Sequence, residues 1–351
     1  MLFERYIIKN YLKNFFVIFL GLDFFYIGVD LLSNYNNIPE SANLQILYVI
    51  FQAMNAVNYV LPLSVVFGMI VTHFGMIKSN ELISLYASSI SKQRLIKPFF
   101  LTALAITLVY IGLNATEFAY ANEYGINLKK YNRISNSSED LFLKHDNSYV
   151  YFKKLDPYKK IAYDVTIFET DGIQVKRIMR APRAVFKDNF WVLESVDVTH
   201  KNDVKTLHDA GLRLESLETF SAIANFKPKI MDNVYQSEHA LSITDGIEAL
   251  RFLDAQGVNT LKIKANLFYQ LFFPLFAPFL IVLLYHKAPV MGRYFNMPLI
   301  ASSFAFITLI AWSGLFVLSK LSANGVIFAE IGILLPIILM GCVALYVYTK
   351  R

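Results

Sequence analysis

The chain of 351 residues is 55% hydrophobic and 15% aromatic but only 17% charged, with a mean hydropathy of +0.42, whereas a soluble domain carries about a quarter charged residues. Charge is sparse toward both ends and dense in the middle, which excludes one water-soluble globule and points to membrane segments around a soluble insert. The net charge of +6 comes from short loops and scattered residues without an arginine-rich stripe, against a nucleic-acid partner, and the single cysteine, Cys342, excludes an intrachain disulfide and a cysteine metal site.

A bilayer core of about 30 Å needs about 20 mostly apolar helical residues, and stretches near 12–32, 57–77, 98–118, 266–285, 297–318 and 329–348 meet that test. The first follows Arg5, Lys9 and Lys13, but it is too long for a signal sequence and has no small-residue cleavage site. It carries Asp23 and Asp30 two helical turns apart on one face. A charge at mid-bilayer costs at least about 2.5 kcal/mol, so that face should meet protein, water or a polar ligand. Three readings stand: Asp30 at the outer interface with Asp23 paired to a neighbouring helix, direct substrate contact, or a proton relay.

Next, Leu44, Leu47, Ile50, Phe51 and Met54 recur at helical spacing over 42–54. The pattern predicts an amphipathic helix on the outer surface; an extended second span is the alternative. After that span, Asn80 is placed to cap a short helix whose first-turn Glu81 complements the helix dipole. Leu82, Leu85, Tyr86 and Ser89 share one face of it. Such a helix between two spans can transmit force; an ordinary capped interfacial helix is the plainer reading.

From about 121 to 250 the texture alternates, as in 149–152, 161–168 and 190–196, between turn signals at Asp156-Pro157, Asp171-Gly172 and Lys187-Asp188-Asn189. This predicts an antiparallel sandwich or jellyroll-like sheet. A helix over Ile243–Asp254 follows, with Ile247, Leu250 and Leu253 on one face, then an Ala255-Gln256-Gly257 stop and the last three spans.

Basic residues cluster before the first span, between spans two and three (Lys78, Lys92, Arg94, Lys97), between four and five (Lys287, Arg293) and after six (Lys350, Arg351), while 33–46 carries none and 319–328 only Lys320. By the positive-inside rule both termini are cytoplasmic and the middle domain faces outward. No phosphate-binding loop, zinc-protease helix, nucleophile elbow or dinucleotide fingerprint occurs, so no catalytic residues are expected. His73 and His286 sit near span ends, and His145, His200, His208 and His239 lack ligand spacing. Solvated histidines are expected, and no metal.

The run Glu81–Ser91 resembles the coupling-helix signature of the LptF/LptG (YjgP/YjgQ) permeases of lipopolysaccharide export. The likeness extends over the chain: the Arg5-Tyr6-Ile7 opening, the Asn147–Phe152 strand, the Leu241–Gly257 run and Pro274. The opening, that strand and Gly332–Pro336 look more like LptG than LptF. The family's coupling motif commonly has Gly where this chain has Ser89, suggesting a looser turn. Some LptG proteins carry a span-1 lysine where this chain has Ile27, so a phosphate contact there is not carried over.

The resemblance implies a six-span membrane α-helical bundle with an inserted periplasmic β-jellyroll-like domain. The divisions expected are 1–120 with a coupling helix over 79–91, then 121–250, then 251–351, in the Gram-negative inner membrane. It implies an LptF-like partner permease, an LptB-like ATPase dimer holding ATP and Mg, and LptC-like and LptA-like periplasmic bridge proteins; this chain is expected to bind no cofactor. Glu81, Leu82, Leu85, Tyr86 and Ser89 would couple to the ATPase. Lipopolysaccharide would enter between spans 1 and 5 of opposing subunits, with Asp23, Phe24, Phe25, Ile27, Asp30, Phe304, Phe306 and Ile307 as candidate cavity residues; some of the apolar ones must instead face lipid or pack helices. Lys262, Lys264 and Lys320, with Lys129, Lys130 and Arg133, are candidates for a rim that holds phosphates; snorkelling lysines are the alternative. Val150 and Phe152 would line a groove in the sheet. The rivals are a secondary transporter that loads protons or cations on Asp23 and Asp30, and a sensor or scaffold; the short Thr349-Lys350-Arg351 tail weighs against the sensor.

Overall fold

The computed structural model describes residues 2–132, 138–145, 147–157, 159–172, 174–201, 211–224, 227–228, 241–254, 260–291 and 295–350. Arg133, His208, His239, Arg293 and the 255–257 stop lie outside the described residues. The chain forms two compact units, Met1–Lys129 with Leu241–Leu250 and Asn259–Arg351, and Lys130–Ala240 with Arg251–Val258. Residues 121–129 and 241–250, which the sequence reading gives to the soluble domain, thus belong to the first unit.

The helices, all in that unit except for the last residues of α5 and α6, are α1 Leu2–Ser33, α2 Ala42–Lys78, α3 Glu81–Ala87, α4 Lys92–Leu113, α5 Ala121–Tyr131, α6 Ile243–Asp254, α7 Leu261–Phe272, α8 Phe276–Lys287, α9 Met297–Ala323 and α10 Leu335–Thr349. A 3-10 turn over Phe273–Leu275 joins α7 to α8, and a π-turn over Glu330–Leu334 leads into α10. Among the described residues six segments are long and apolar enough to cross a bilayer: α1, α2, α4, α7–α8, α9, and the π-turn with α10. Pro274 falls at the start of the 3-10 turn, where its missing N–H is tolerated, whereas inside a continuous α-helix it would cost a hydrogen bond.

The surface helix expected over 42–54 does not exist as a separate element. Helix α2 runs unbroken for 37 residues, about 55 Å at the helical rise. Its first turns bury Tyr48, Asn55 and Ala56 while Ile46 and Ile50 stay exposed. Hydrogen bonds select that face: Tyr48 donates to Asp30 Oδ2 at 2.6 Å, and Gln52 donates to the Tyr48 hydroxyl at 3.0 Å.

The two long helices pack closely. Tyr11 donates to the Val65 carbonyl at 2.8 Å and Asn14 to Thr72 Oγ1 at 2.9 Å. A Cβ on Gly68 would stand 3.0 Å from the Phe15 backbone, so any larger residue would push the helices apart by a few tenths of an ångström. Helix α6 buries Ile243, Gly246 and Ala249, while Ile247 of the expected apolar face is exposed. Close approach decides this: a Cβ on Gly246 would come within 2.7 Å of Leu267. The Ile243 N–H donates to the Asn114 carbonyl at 2.9 Å, and Tyr120 donates to Asp245. These bonds tie 241–250 to the end of α4.

The second unit is one six-stranded antiparallel meander, ordered β1 through β6: Ser138–His145, Ser148–Asp156, Ile161–Asp171, Gln174–Lys187, Phe190–Lys201 and Leu212–Ala224. The expected turns are present; Asp188 and Asn189 both have positive φ, as a tight two-residue hairpin requires. At the ends of the two edge strands, His145 Nε2 lies 3.1 Å from the Ala224 carbonyl oxygen.

A crease crosses every strand. Asp140, Lys153, Asp164, Pro182, Ser195 and Glu218 fall where the ladders skip a pair, and Asp140, Asp164 and Ser195 take positive φ. Inward residues change parity there: Val150 and Phe152 then Leu155, Ala162 then Val165 and Ile167, Met179 and Ala181 then Ala184, Trp191 and Leu193 then Val196 and Val198. The strands thus share one line of irregularity, and β2 to β5 keep the same face buried on both sides of it. The core so enclosed centres on Trp191, fully buried against Phe152 and Phe186 at ring distances of 5.4 and 5.5 Å.

Candidate functional site

Helix α3 hangs between the ends of α2 and α4. Asn80 does not cap it with its side chain; it takes φ 60° as the left-handed stop of α2, a conformation asparagine tolerates. At the other end the Ser89 N–H donates to the Tyr86 carbonyl at 3.0 Å and the Ile90 N–H to the Leu85 carbonyl at 3.3 Å. This is a Schellman turn, and Ser89 occupies its left-handed position at φ 61°. The turn closes fully with serine where the family commonly has glycine.

The expected coupling residues divide between two faces. Leu82 is fully buried, and Leu85, Tyr86 and Ile90 pack against the bundle core. Burial pushes the Tyr86 phenol up from its ordinary pKa. Glu81 is half-buried and accepts a hydrogen bond from Tyr6 of α1 at 2.9 Å, and it has no ion pair among the described residues. Ser84, Ala87, Ser88 and Ser89 face solvent. Helical periodicity carried the signal for Ser84, Ala87 and Ser88: once Leu82, Leu85 and Tyr86 face inward, they lie opposite. The Tyr6 contact had no such signal.

Around this helix, Lys92 Nζ donates to the His286 carbonyl and Gln93 Nε2 to the Tyr348 carbonyl, both at 3.0 Å. The start of α4 thereby holds the ends of α8 and α10.

The candidate cavity residues also separate. Asp23, Ile27 and Phe304 are buried within the chain, and Phe304 meets Phe74 edge-on at 5.8 Å. Asp30 accepts from Asn34 as well as Tyr48, and Asn34 in turn accepts from Lys129 at 2.8 Å. Phe24, Phe25, Phe306 and Ile307 point outward. One carboxylate oxygen of Asp23 is buried without a hydrogen bond among the described residues.

Of the rim lysines, Lys262 and Lys130 are exposed. Lys264 pairs with Glu330 and lies over the Phe268 ring, and Lys320 lies over Phe316 at 5.4 Å. Val150 and Phe152 are both fully buried inside the sheet. The expectation of solvated histidines is corrected at His73, only 3% exposed, and at His145, 9% exposed. Among the described residues no group of His, Cys, Asp and Glu could hold a metal ion.

No curated protein matches the chain. A family model for the lipopolysaccharide export system permease LptF/LptG matches residues 5–350. That match spans both spanning-helix groups and the inserted sheet, so the chain belongs to the LptF/LptG family of lipopolysaccharide export permeases.

Proposed function

We propose that this permease is the LptG-like subunit of an ATP-driven exporter that extracts lipopolysaccharide from the inner membrane and passes it to a periplasmic bridge. The observation that carries the reading is α3: one face is sunk in the bundle through Leu82, Leu85 and Tyr86, and the other offers Glu81, Ser84, Ala87 and Ser88. A helix held this way moves with the spans when a partner pushes it. ATP and Mg belong to an LptB-like ATPase dimer, and an LptF-like chain completes the pair. LptC-like and LptA-like proteins receive the lipid. The basic loops support a reading with both termini and α3 in the cytoplasm and the sheet in the periplasm. The opening residues, the 147–152 strand and Gly332–Pro336 favour LptG over LptF.

In this reading the outward aromatics of α1 and α9 meet acyl chains or the partner permease. Asp23 and Ile27 shape α1 from behind. Lys262 is the most accessible phosphate ligand, with Lys264 recruited when it leaves Glu330. The buried sheet interior around Val150 and Phe152 must open for lipid to pass. A cation-coupled carrier would have to rest on Asp23, because both Asp30 oxygens already accept hydrogen bonds within the chain.

Copurification with an ATPase tests the proposal. Glu81→Lys should lower affinity by about 2–5 kcal/mol, the cost of breaking an interfacial charge pair, and uncouple ATP hydrolysis from lipid export. Unchanged assembly and export would remove Glu81 from the interface.

A further inference from the structure

Beneath α3 lies a group of polar atoms that the coupling face does not use. His73 of α2 is 3% exposed and Tyr285 of α8 is 1% exposed. Neither ring nitrogen of His73 has a hydrogen bond among the described residues, nor has the Tyr285 hydroxyl. The two rings nevertheless lie 4.6 Å apart, tilted by 59°. Phe74 and Phe99 pack edge-on around the imidazole. Tyr86 of α3 is a polar neighbour of the Tyr285 hydroxyl, which has no hydrogen bond of good geometry among the described residues.

An imidazole needs a donor and an acceptor, and a phenol can serve as either. Buried polar side chains in native proteins are nearly always bonded, so adjacent unbonded groups call for a reason. Here each could satisfy the other, and the two rings stand on different helices, α2 and α8. These helices belong to the two spans most buried within the chain, with 72% and 61% of their apolar windows covered. Tyr86 connects the spot to the helix that receives the push.

We propose that His73 and Tyr285 form a positioning pair for transport: unbonded in this state, hydrogen-bonded when displacement of α3 shifts α8 against α2. The pair favours the displaced arrangement, and thereby converts a movement of α3 into a change between spans. The inference rests on the ATPase-coupled reading above.

The test uses the full chain assembled with its permease and ATPase partners in liposomes containing lipopolysaccharide. Tyr285→Phe removes only the hydroxyl, and His73→Phe keeps an aromatic ring in place. In Tyr285→Phe the melting temperature should hold or rise, because the hydroxyl makes no hydrogen bond of good geometry among the described residues. Lipid exported per ATP hydrolysed should fall about fivefold or more, a typical coupling effect. His73→Phe should show the same fall in that ratio. A lowered melting temperature in Tyr285→Phe, or an unchanged ratio in it, overturns the proposal. Failure of the wild-type chain to bind any ATPase overturns the underlying reading as well, and is seen before a variant is made.

Discussion

The two units bury their apolar residues by opposite strategies. The sheet buries its apolar residues inside: Val150, Phe152, Val165, Trp191, Leu193 and Val196 are at most 1% exposed. The bundle leaves its surplus outside, with only 17% of the apolar window buried in α1 and 11% in α9. Water forces the first outcome, since exposed apolar area costs about 25 cal/mol per Å². A bilayer removes that force, so helices can leave Phe24, Phe25 and Phe306 outward at no such cost and associate instead through close packing and hydrogen bonds. The tight points of the bundle are accordingly glycines and polar pairs, while those of the sheet are large side chains.

The sharpest way to break the contrast is Trp191→Ala. It should cost the sheet about 3–5 kcal/mol, as large-to-small core changes do. Hydrogen exchange should then rise across the strands while protection in α2 and α8 is retained. Exchange rising equally in both units would mean that the sheet is not independently packed.

Gly332→Ala probes the bundle's equivalent. A Cβ there would collide with the Ser322 hydroxyl and approach Ile327 Cδ1 to 2.7 Å. The expected loss is about 1–3 kcal/mol, as for overpacking, read as a lower melting temperature in detergent.

Ser89→Gly should act in the other direction. Relieving a left-handed serine is worth about 1 kcal/mol, and slower proteolysis at 88–91 measures it. Smallest of all, Phe24→Ala should change the stability of the isolated chain by less than about 0.5 kcal/mol, as an exposed substitution does. A multi-kcal/mol loss in thermal unfolding would show that α1's outward face is packed in the isolated chain.

Much of the fold was legible in the residues. The six spans follow from apolar length, and the strands from alternation between Asp-Pro, Asp-Gly and Asp-Asn turns. Helix α6 has the predicted limits, Ile243–Asp254. Faces were harder to read. The alternating run 161–168 does not keep one parity, because Asp164 inserts the crease, and no local signal distinguishes that aspartate from an ordinary outward one. In α6 a count of large apolar residues favoured Ile247, whereas the small Gly246 and Ala249 let α7 approach. At the candidate site, Glu81 stood out as a lone acid among basic residues, but its bond to Tyr6 joins positions 75 apart in sequence, beyond any local pattern.

The sequence by itself determined that this chain crosses a membrane, which segments do so, that a strand-rich unit is inserted, and which family it belongs to. These depend on apolar length, short-range alternation and motif residues, all local. Tertiary structure alone decided that α2 is one long helix, that Leu82 and Phe304 face inward while Phe24 faces out, that one crease aligns every strand, and that His73 meets Tyr285. A helix apolar on nearly every side carries no periodicity from which to choose a face. Only its neighbours, through close approach and the few hydrogen bonds available in an apolar interior, can make that choice.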